Sequence, residues 1–226
     1  MKRVTVITIA IIMLISGSIS NLLAQDGLTI SLIARKDVSS SGESSYKVNF
    51  DLEGDVLKNT IKVYITVPRN KNMVIRNRLN LNKITLESIN TSYEDFIESF
   101  PEGTYNFYLF PRPFKNSQSV LMSHDFPSTP VLIYPTDGAA NVPLTPVIEW
   151  AQFSSSDIDN LFLEIKGGGV NYRIELLSNT TTLALPIGLL KPITPYTLSL
   201  GAKKTTDSQG SYRESALVIT FTTGTI

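Results

Sequence analysis

Cysteine is absent from this chain and histidine occurs once, as His124. The first absence excludes disulfides, thiolate metal sites and cysteine nucleophiles together. The second leaves one imidazole for any acid–base or metal chemistry that requires one. Net charge is missing too. The 20 Lys and Arg residues balance 20 Asp and Glu, so no global field draws the protein toward nucleic acid or an anionic membrane, and an electrostatic partner has to be sought in local clusters. What is plentiful is core material: 42% of the residues are hydrophobic and 18% charged, the balance of a globular chain and too apolar for a disordered one. No metal, cofactor or nucleic-acid partner is expected.

The first 25 residues form a separate piece. Lys2 and Arg3 precede an apolar run from Val4 to Ile15, followed by the small residues Ser16, Gly17, Ser18 and Ser20, which is the layout of a secretory signal peptide. Residues 1–24 are assigned to it, with cleavage after Ala24 as first choice and after Ser20 as the alternative. An uncleaved anchor competes, because Val4 to Ala24 reaches the ~20 residues that span a bilayer, but Ser and Gly interrupt the second half of the run. A lipoprotein would need a cysteine at the cut. The mature chain is therefore expected to be exported, periplasmic or extracellular, without stable membrane insertion, and export without disulfides suits a bacterial envelope. The sequons Asn90-Thr91-Ser92 and Asn179-Thr180-Thr181 read as ordinary turn chemistry.

Beyond the leader, apolar residues alternate with polar ones, the period of half-buried strands. Leu28, Ile30, Leu32 and Ala34 share one face, as do Tyr46, Val48, Phe50 and Leu52, and again Ile61, Val63, Ile65 and Val67. One stretch changes rhythm: Ile89, Tyr93, Phe96, Ile97 and Phe100 fall at helical spacings. Ser92 followed by Asp95 has the form of a cap, and Pro101 and Gly103 stop the run. A short helix is expected over Tyr93 to Ser99, then a strand beginning at Tyr105. These features make residues 26–127 a β-sandwich domain of unknown family with one short helix.

Four prolines between Pro127 and Pro143 mark a boundary, since proline cannot donate to a central ladder, and the hinge is placed at Phe126 to Pro130. Past it come seven short runs, Val131–Tyr134, Val147–Ala151, Leu161–Lys166, Tyr172–Leu177, Thr181–Leu185, Tyr196–Ala202 and Leu217–Thr223. Turns at Asp137-Gly138, Gly167-Gly168-Gly169 and Gln209-Gly210 separate them. Such a series predicts a second sandwich over residues 130–226.

The run Leu190-Lys191-Pro192-Ile193-Thr194-Pro195-Tyr196, continuing through Leu198, Leu200 and Ala202, resembles the turn between strands E and F of a fibronectin type III domain, and Trp150 falls where that family places a strand B tryptophan. Pro135 to Pro143 resembles the opening segment of bacterial modules of this kind. The resemblance implies a tyrosine corner: Tyr196 buried, its hydroxyl bonded to backbone near Lys191 or Pro192, Leu190 packed beneath it, and Trp150 in the same core. It implies no activity, since one sandwich serves many functions. The cell-adhesion tripeptide Arg-Gly-Asp is absent from Lys203 to Ser215.

Chemistry-bearing clusters are few. Ser123-His124-Asp125 could be a sliver of a triad, but chain neighbours rarely attain triad geometry, and a structural role at the hinge is the simpler reading. Asp157 and Asp159 offer oxygens for Ca²⁺ without the 6 to 8 or so ligands it takes. Glu94, Asp95 and Glu98 read as a solvated helix face.

Two signals are stronger. Lys58, Lys62, Arg69, Lys71, Arg76, Arg78 and Lys83 occur with no acidic residue between Asp55 and Glu87, a basic hairpin that either grips an anionic surface or lies against the acidic stretch that follows it. In Tyr105 to Phe114, if Tyr105, Phe107 and Leu109 face the core, Tyr108, Phe110 and Phe114 face outward, unless the helix stripe covers them. The candidate ligand-binding residues are thus Tyr108, Phe110, Phe114, Arg69, Lys71, Arg76 and Arg78. The expected function is a non-catalytic binding or scaffolding protein of the envelope or medium that mediates protein–protein contacts. The alternative is a carbohydrate-binding protein using those aromatics and that hairpin, its partner a glycan of the envelope.

Overall fold

In the computed structural model, residues 27–90, 92–111, 117–153, 158–207 and 210–225 are described. The expected leader lies outside them, as do Phe114 and Asp157. The described chain is all-β apart from one α-helix and short 3-10 turns, and it divides into two compact units. The first comprises the described residues up to Ala34, Tyr46–Asp125 and Thr205–Tyr212; the second comprises Arg35–Ser45, Phe126–Lys204 and Arg213 onward.

In the first unit the strands are β1 (Thr29–Ser39, its part up to Ala34), β2 (Ser44–Glu53, from Tyr46), β3 (Lys62–Val67), β4 (Lys71–Arg76) and β5 (Lys83–Asn90), then helix α1 (Tyr93–Ser99), β6 (Gly103–Phe110) and β7 (Ser117–Met122). β1, β2 and β5 lie side by side in that order, and the second sheet runs β4-β3-β6-β7. Strict alternation drives the burial: Val48, Phe50 and Leu52 on β2, Val63 and Ile65 on β3, and Tyr105, Phe107 and Leu109 on β6 are all buried. Phe50 packs within 6 Å of the rings of Tyr105 and Phe107, at 5.6 and 5.8 Å, so aromatic packing fills the space between the sheets. The Tyr105 hydroxyl donates to the Pro101 carbonyl at 3.0 Å, tying the start of β6 to the turn before it.

Helix α1 begins where Ser92 Oγ accepts from the Asp95 amide at 3.1 Å, which satisfies one of the orphan N–H groups of the first turn. It buries Phe96, whose ring stacks on Tyr46 at 5.0 Å. The stripe is one residue group shorter than the spacing suggests. Ile89 belongs to β5 and is 59% exposed, because the chain is still paired with β2 there, opposite Lys47. Ile61 likewise precedes β3 and is exposed.

In the second unit the strands are β8 (Leu132–Tyr134), β9 (Ala139–Val142), β10 (Val147–Trp150), β11 (Asn160–Gly167), β12 (Val170–Leu177), β13 (Thr182–Ala184), β14 (Pro195–Thr205) and β15 (Tyr212–Thr223). One sheet is β13-β10-β8 and the other contains β12-β11-β14-β15, with β9 parallel to β15. With β9 set aside, the connectivity of the first unit is repeated. In each, strands one, two and five form one sheet, and four, three, six and seven form the other, in that order.

Leu161, Leu163 and Ile165 of β11 meet Leu198, Leu200 and Ala202 of β14 in a core that also holds Trp150, Leu190, Tyr196 and Phe221. Trp150 Nε1 donates to the Thr180 carbonyl at 2.7 Å. The Tyr196 hydroxyl accepts from the Lys191 amide at 2.8 Å. The turn between β11 and β12 passes directly over that hydroxyl. Gly168 has φ +56, and a Cβ there would sit 2.9 Å from Tyr196 Oη, so both backbone conformation and space require glycine.

Candidate functional site

The outward face of β4-β3-β6-β7 brings together three of the seven sequence-predicted site residues, Tyr108, Phe110 and Arg76. Since Val63, Ile65 and Val67 point inward, Lys62, Tyr64 and Thr66 point outward, and the register extends this into three rows across the sheet. Lys62 lies opposite Arg76 on one side and Phe110 on the other. Tyr64 lies between Val74 and Tyr108. Thr66 lies between Asn72 and Asn106, and Asn106 in turn faces Ser119 of β7. The Asn106 amide donates to Thr66 Oγ1 at 3.3 Å.

Tyr64, Val74 and Phe110 are 39%, 51% and 43% exposed, unusual for large apolar groups gathered on one face. The Tyr64 and Phe110 rings meet edge to face with centroids 6.5 Å apart, and Tyr108 is half-buried beside them. Helix α1 does not cover these rings. Its aromatics are engaged with Tyr46, Phe100 and His124 instead, so that explanation of the outward aromatics fails.

Charge on the face has one sign. None of the four strands contains Asp or Glu, and Arg76 and Lys62 stand in the same row. Arg69 occupies the turn between β3 and β4 with φ 62, and Arg78 follows β4; both are exposed. Lys71 opens β4, but its side chain is outside those described. Elsewhere in this segment the cations are paired: Lys58 with Asp55 at 2.7 Å and Lys83 with Glu53 at 3.1 Å. Lys62, Arg69, Arg76 and Arg78 have no carboxylate partner among the described residues. Among the described residues no ion pair joins these four to the acidic stretch that follows them in sequence.

Tyr64 was not among the residues singled out by sequence. Its signal was the parity of β3, in which any residue between two core positions must face out.

Three further groups are packed or paired. His124 Nε2 donates to the Phe100 carbonyl at 2.7 Å, and its ring lies 4.8 Å from that of Phe96, so the imidazole is committed to packing and to a backbone acceptor. Tyr196, Trp150 and Leu190 lie together in the second core, as described above. On the opposite side of β11 from that core, Phe162 is fully buried beneath two guanidiniums, Arg173 at 4.1 Å and Arg35 at 5.3 Å from its centroid. Arg35 pairs with Asp37 at 2.6 Å, Glu164 at 3.1 Å and Glu214 at 3.7 Å, while Arg173 also bonds Glu214. Burial alone would raise the Glu164 carboxyl, but Lys166 and Arg35 more than offset this and hold it below its ordinary value. Every charge in this cluster has a partner, which is the pattern of a structural network.

No protein-family profile matches the sequence, and no curated protein matches it. Among solved structures, a redesigned β-sandwich protein is 23% identical over 45% of this chain and 99% of its own, with a TM-score of 0.34. The FN1–FN3 domains of chicken CNTN1 are 12% identical, covering 88% of this chain and 66% of theirs, at a TM-score of 0.32. A two-domain fibronectin type III segment of chicken tenascin is 11% identical, covering 86% and 99%, also at 0.32. These superpositions are loose; what makes the second unit fibronectin type III-like is its own strand order, corner tyrosine and buried tryptophan. Among the described residues no helix is long and apolar enough to cross a membrane.

Proposed function

We propose that this chain is an exported, non-catalytic binding or scaffolding protein of a bacterial envelope or its medium, and that it binds through the outward face of β4-β3-β6-β7. The observation that carries this reading is the convergence of Tyr64, Tyr108 and Phe110 with unpaired Lys62 and Arg76 on one sheet. Exposed aromatics supply contact area at small entropic cost, and Arg and Tyr are the residues enriched where partners dock. The non-catalytic reading is supported by the packed, hydrogen-bonded state of His124, the residue best suited to act as a base.

An aromatic face with flanking cations suits two classes of partner, a protein and a glycan. The test is affinity capture from the source cell's envelope, with the mature chain as bait beside a Tyr64→Ser, Tyr108→Ser, Phe110→Ser variant. These side chains are not in the core, so the variant should fold. The reading expects captured material to fall at least tenfold with the variant. Equal capture by both baits would overturn the assignment of this face.

A further inference from the structure

We infer that the ligand of this face is an acidic polysaccharide, a glycan chain bearing carboxylate or sulfate groups. The inference rests on the binding reading above and deepens it. Three features favour a glycan, each from a different row of the sheet.

The row Arg76, Lys62, Phe110 places two cations without carboxylate partners on strands that contain no acid. Arg69 and Arg78 extend the positive field past both ends of β4. The paired state of Lys58 and Lys83 shows that neighbouring cations find acidic partners where any are available. A face with uncompensated charge of one sign complements a polyanion.

In the row Val74, Tyr64, Tyr108 two tyrosines stand on adjacent strands, whose spacing of ~4.8 Å is comparable to the length of one sugar residue in a chain. The C–H-rich face of a pyranose packs on such rings much as another apolar surface would. The row Asn72, Thr66, Asn106, Ser119 sets amides and hydroxyls across all four strands. That row suits the vicinal hydroxyls of a sugar, each of which both donates and accepts. A lipid headgroup layer would use the cations and accept the tyrosine rings, but it presents no run of vicinal hydroxyls matched to the row of amides and hydroxyls.

The experiment titrates the full mature chain with polygalacturonate, alginate, chondroitin sulfate and dextran sulfate. Fully methyl-esterified polygalacturonate, neutral dextran and phosphatidylglycerol vesicles serve as comparisons. Binding to at least one acidic glycan is expected, weakened at least tenfold by Tyr64→Ala with Phe110→Ala and, separately, by Lys62→Gln with Arg76→Gln, with Lys58→Gln unchanged. Methyl esterification, which removes the charge and keeps the sugar, should weaken polygalacturonate binding by a similar factor wherever that glycan binds. Thermal melts of each variant show whether it is folded.

Four results would overturn the inference: no acidic glycan bound, equal binding to esterified and free chains, loss with the charge variant but not the aromatic one, or binding to vesicles alone. If no glycan binds while the face variant still loses a captured protein, the binding face stands and the glycan falls. If both are unchanged, the face itself is wrong.

Discussion

Two buried tyrosines close corresponding corners of the two units in opposite chemical senses. Tyr105 donates its hydroxyl proton to the Pro101 carbonyl at 3.0 Å in the interior. Tyr196 accepts at 2.8 Å from the amide of Lys191, an exposed residue. Burial also pushes the Tyr105 phenol well above its ordinary pKa, so it remains a donor throughout the neutral range. Replacing Tyr105 by Phe strands a buried carbonyl at a cost of about 1 to 3 kcal/mol, whereas the Lys191 amide freed by Tyr196→Phe can turn to water, and the net loss should be nearer ~0.5 to 1.5 kcal/mol. Denaturant melts of the two variants should rank Tyr105→Phe as the more destabilising. The reverse order would show that burial does not decide the matter.

At the scale of the element, most strands were legible from sequence, but β5, β7 and β9 were not. β2, β3 and β6 alternate without interruption, and α1 was readable to the residue from Ser92, Asp95 and the stopping proline. β5 was missed because its residues are mostly half-exposed on both faces, which erases the period-2 signal, and the helical spacing of Ile89 drew it into the wrong element. The candidate face was half legible. Tyr108 and Phe110 followed from the parity of β6, but that Tyr64 joins them depends on the pairing of β3 with β6, a register that no single strand encodes.

β14 carries a feature of the same kind. Gly201 faces Phe162 on β11, and a Cβ at 201 would lie 2.3 Å from the Phe162 ring. Gly201→Ala should therefore force the ring from beneath its guanidiniums, costing about 1 to 3 kcal/mol as overpacking does. Built on a Phe162→Leu background, the same change should cost distinctly less, since the clashing ring atoms are gone. A double-mutant cycle that finds the two substitutions additive would refute this account of the glycine.

For the molecule as a whole, acid is the condition that should reveal how the second unit is held. Glu164 is held below its ordinary value near 4.5 by Lys166 and Arg35, against burial. Asp137 is held below 3.8, first by the Ser40 hydroxyl and then by the Thr220 amide. Groups whose folded pKa is depressed contribute stability that is fully present above their unfolded values and is lost as pH falls through the folded ones. Stability should thus be level down to about pH 5 and decline steeply below about pH 4, over the range where these carboxylates protonate. Asp137 is exposed, so solvent discounts its share, and most of the effect belongs to the buried network around Arg35.

Removing Arg35 tests that attribution. Arg35→Met keeps apolar bulk over Phe162 but takes the cation from Asp37, Glu164 and Glu214, and loss of one partner from a buried pair costs about 3 to 5 kcal/mol. Lys166 and Arg173 remain beside Glu164 and Glu214, which places the expected loss at neutral pH near ~3 kcal/mol, the low end of that range. With its depressing charge gone, Glu164 should titrate at higher pH and lose its acid-sensitive share of stability, so the difference between wild type and variant should narrow as pH falls through the carboxylate range. The measurement is a series of denaturant melts between pH 3 and 7 or so, spanning the carboxylate range, for wild type and variant. Two curves separated by a constant offset at every pH would mean that Arg35 contributes packing alone, and the electrostatic account of this network would have to be abandoned.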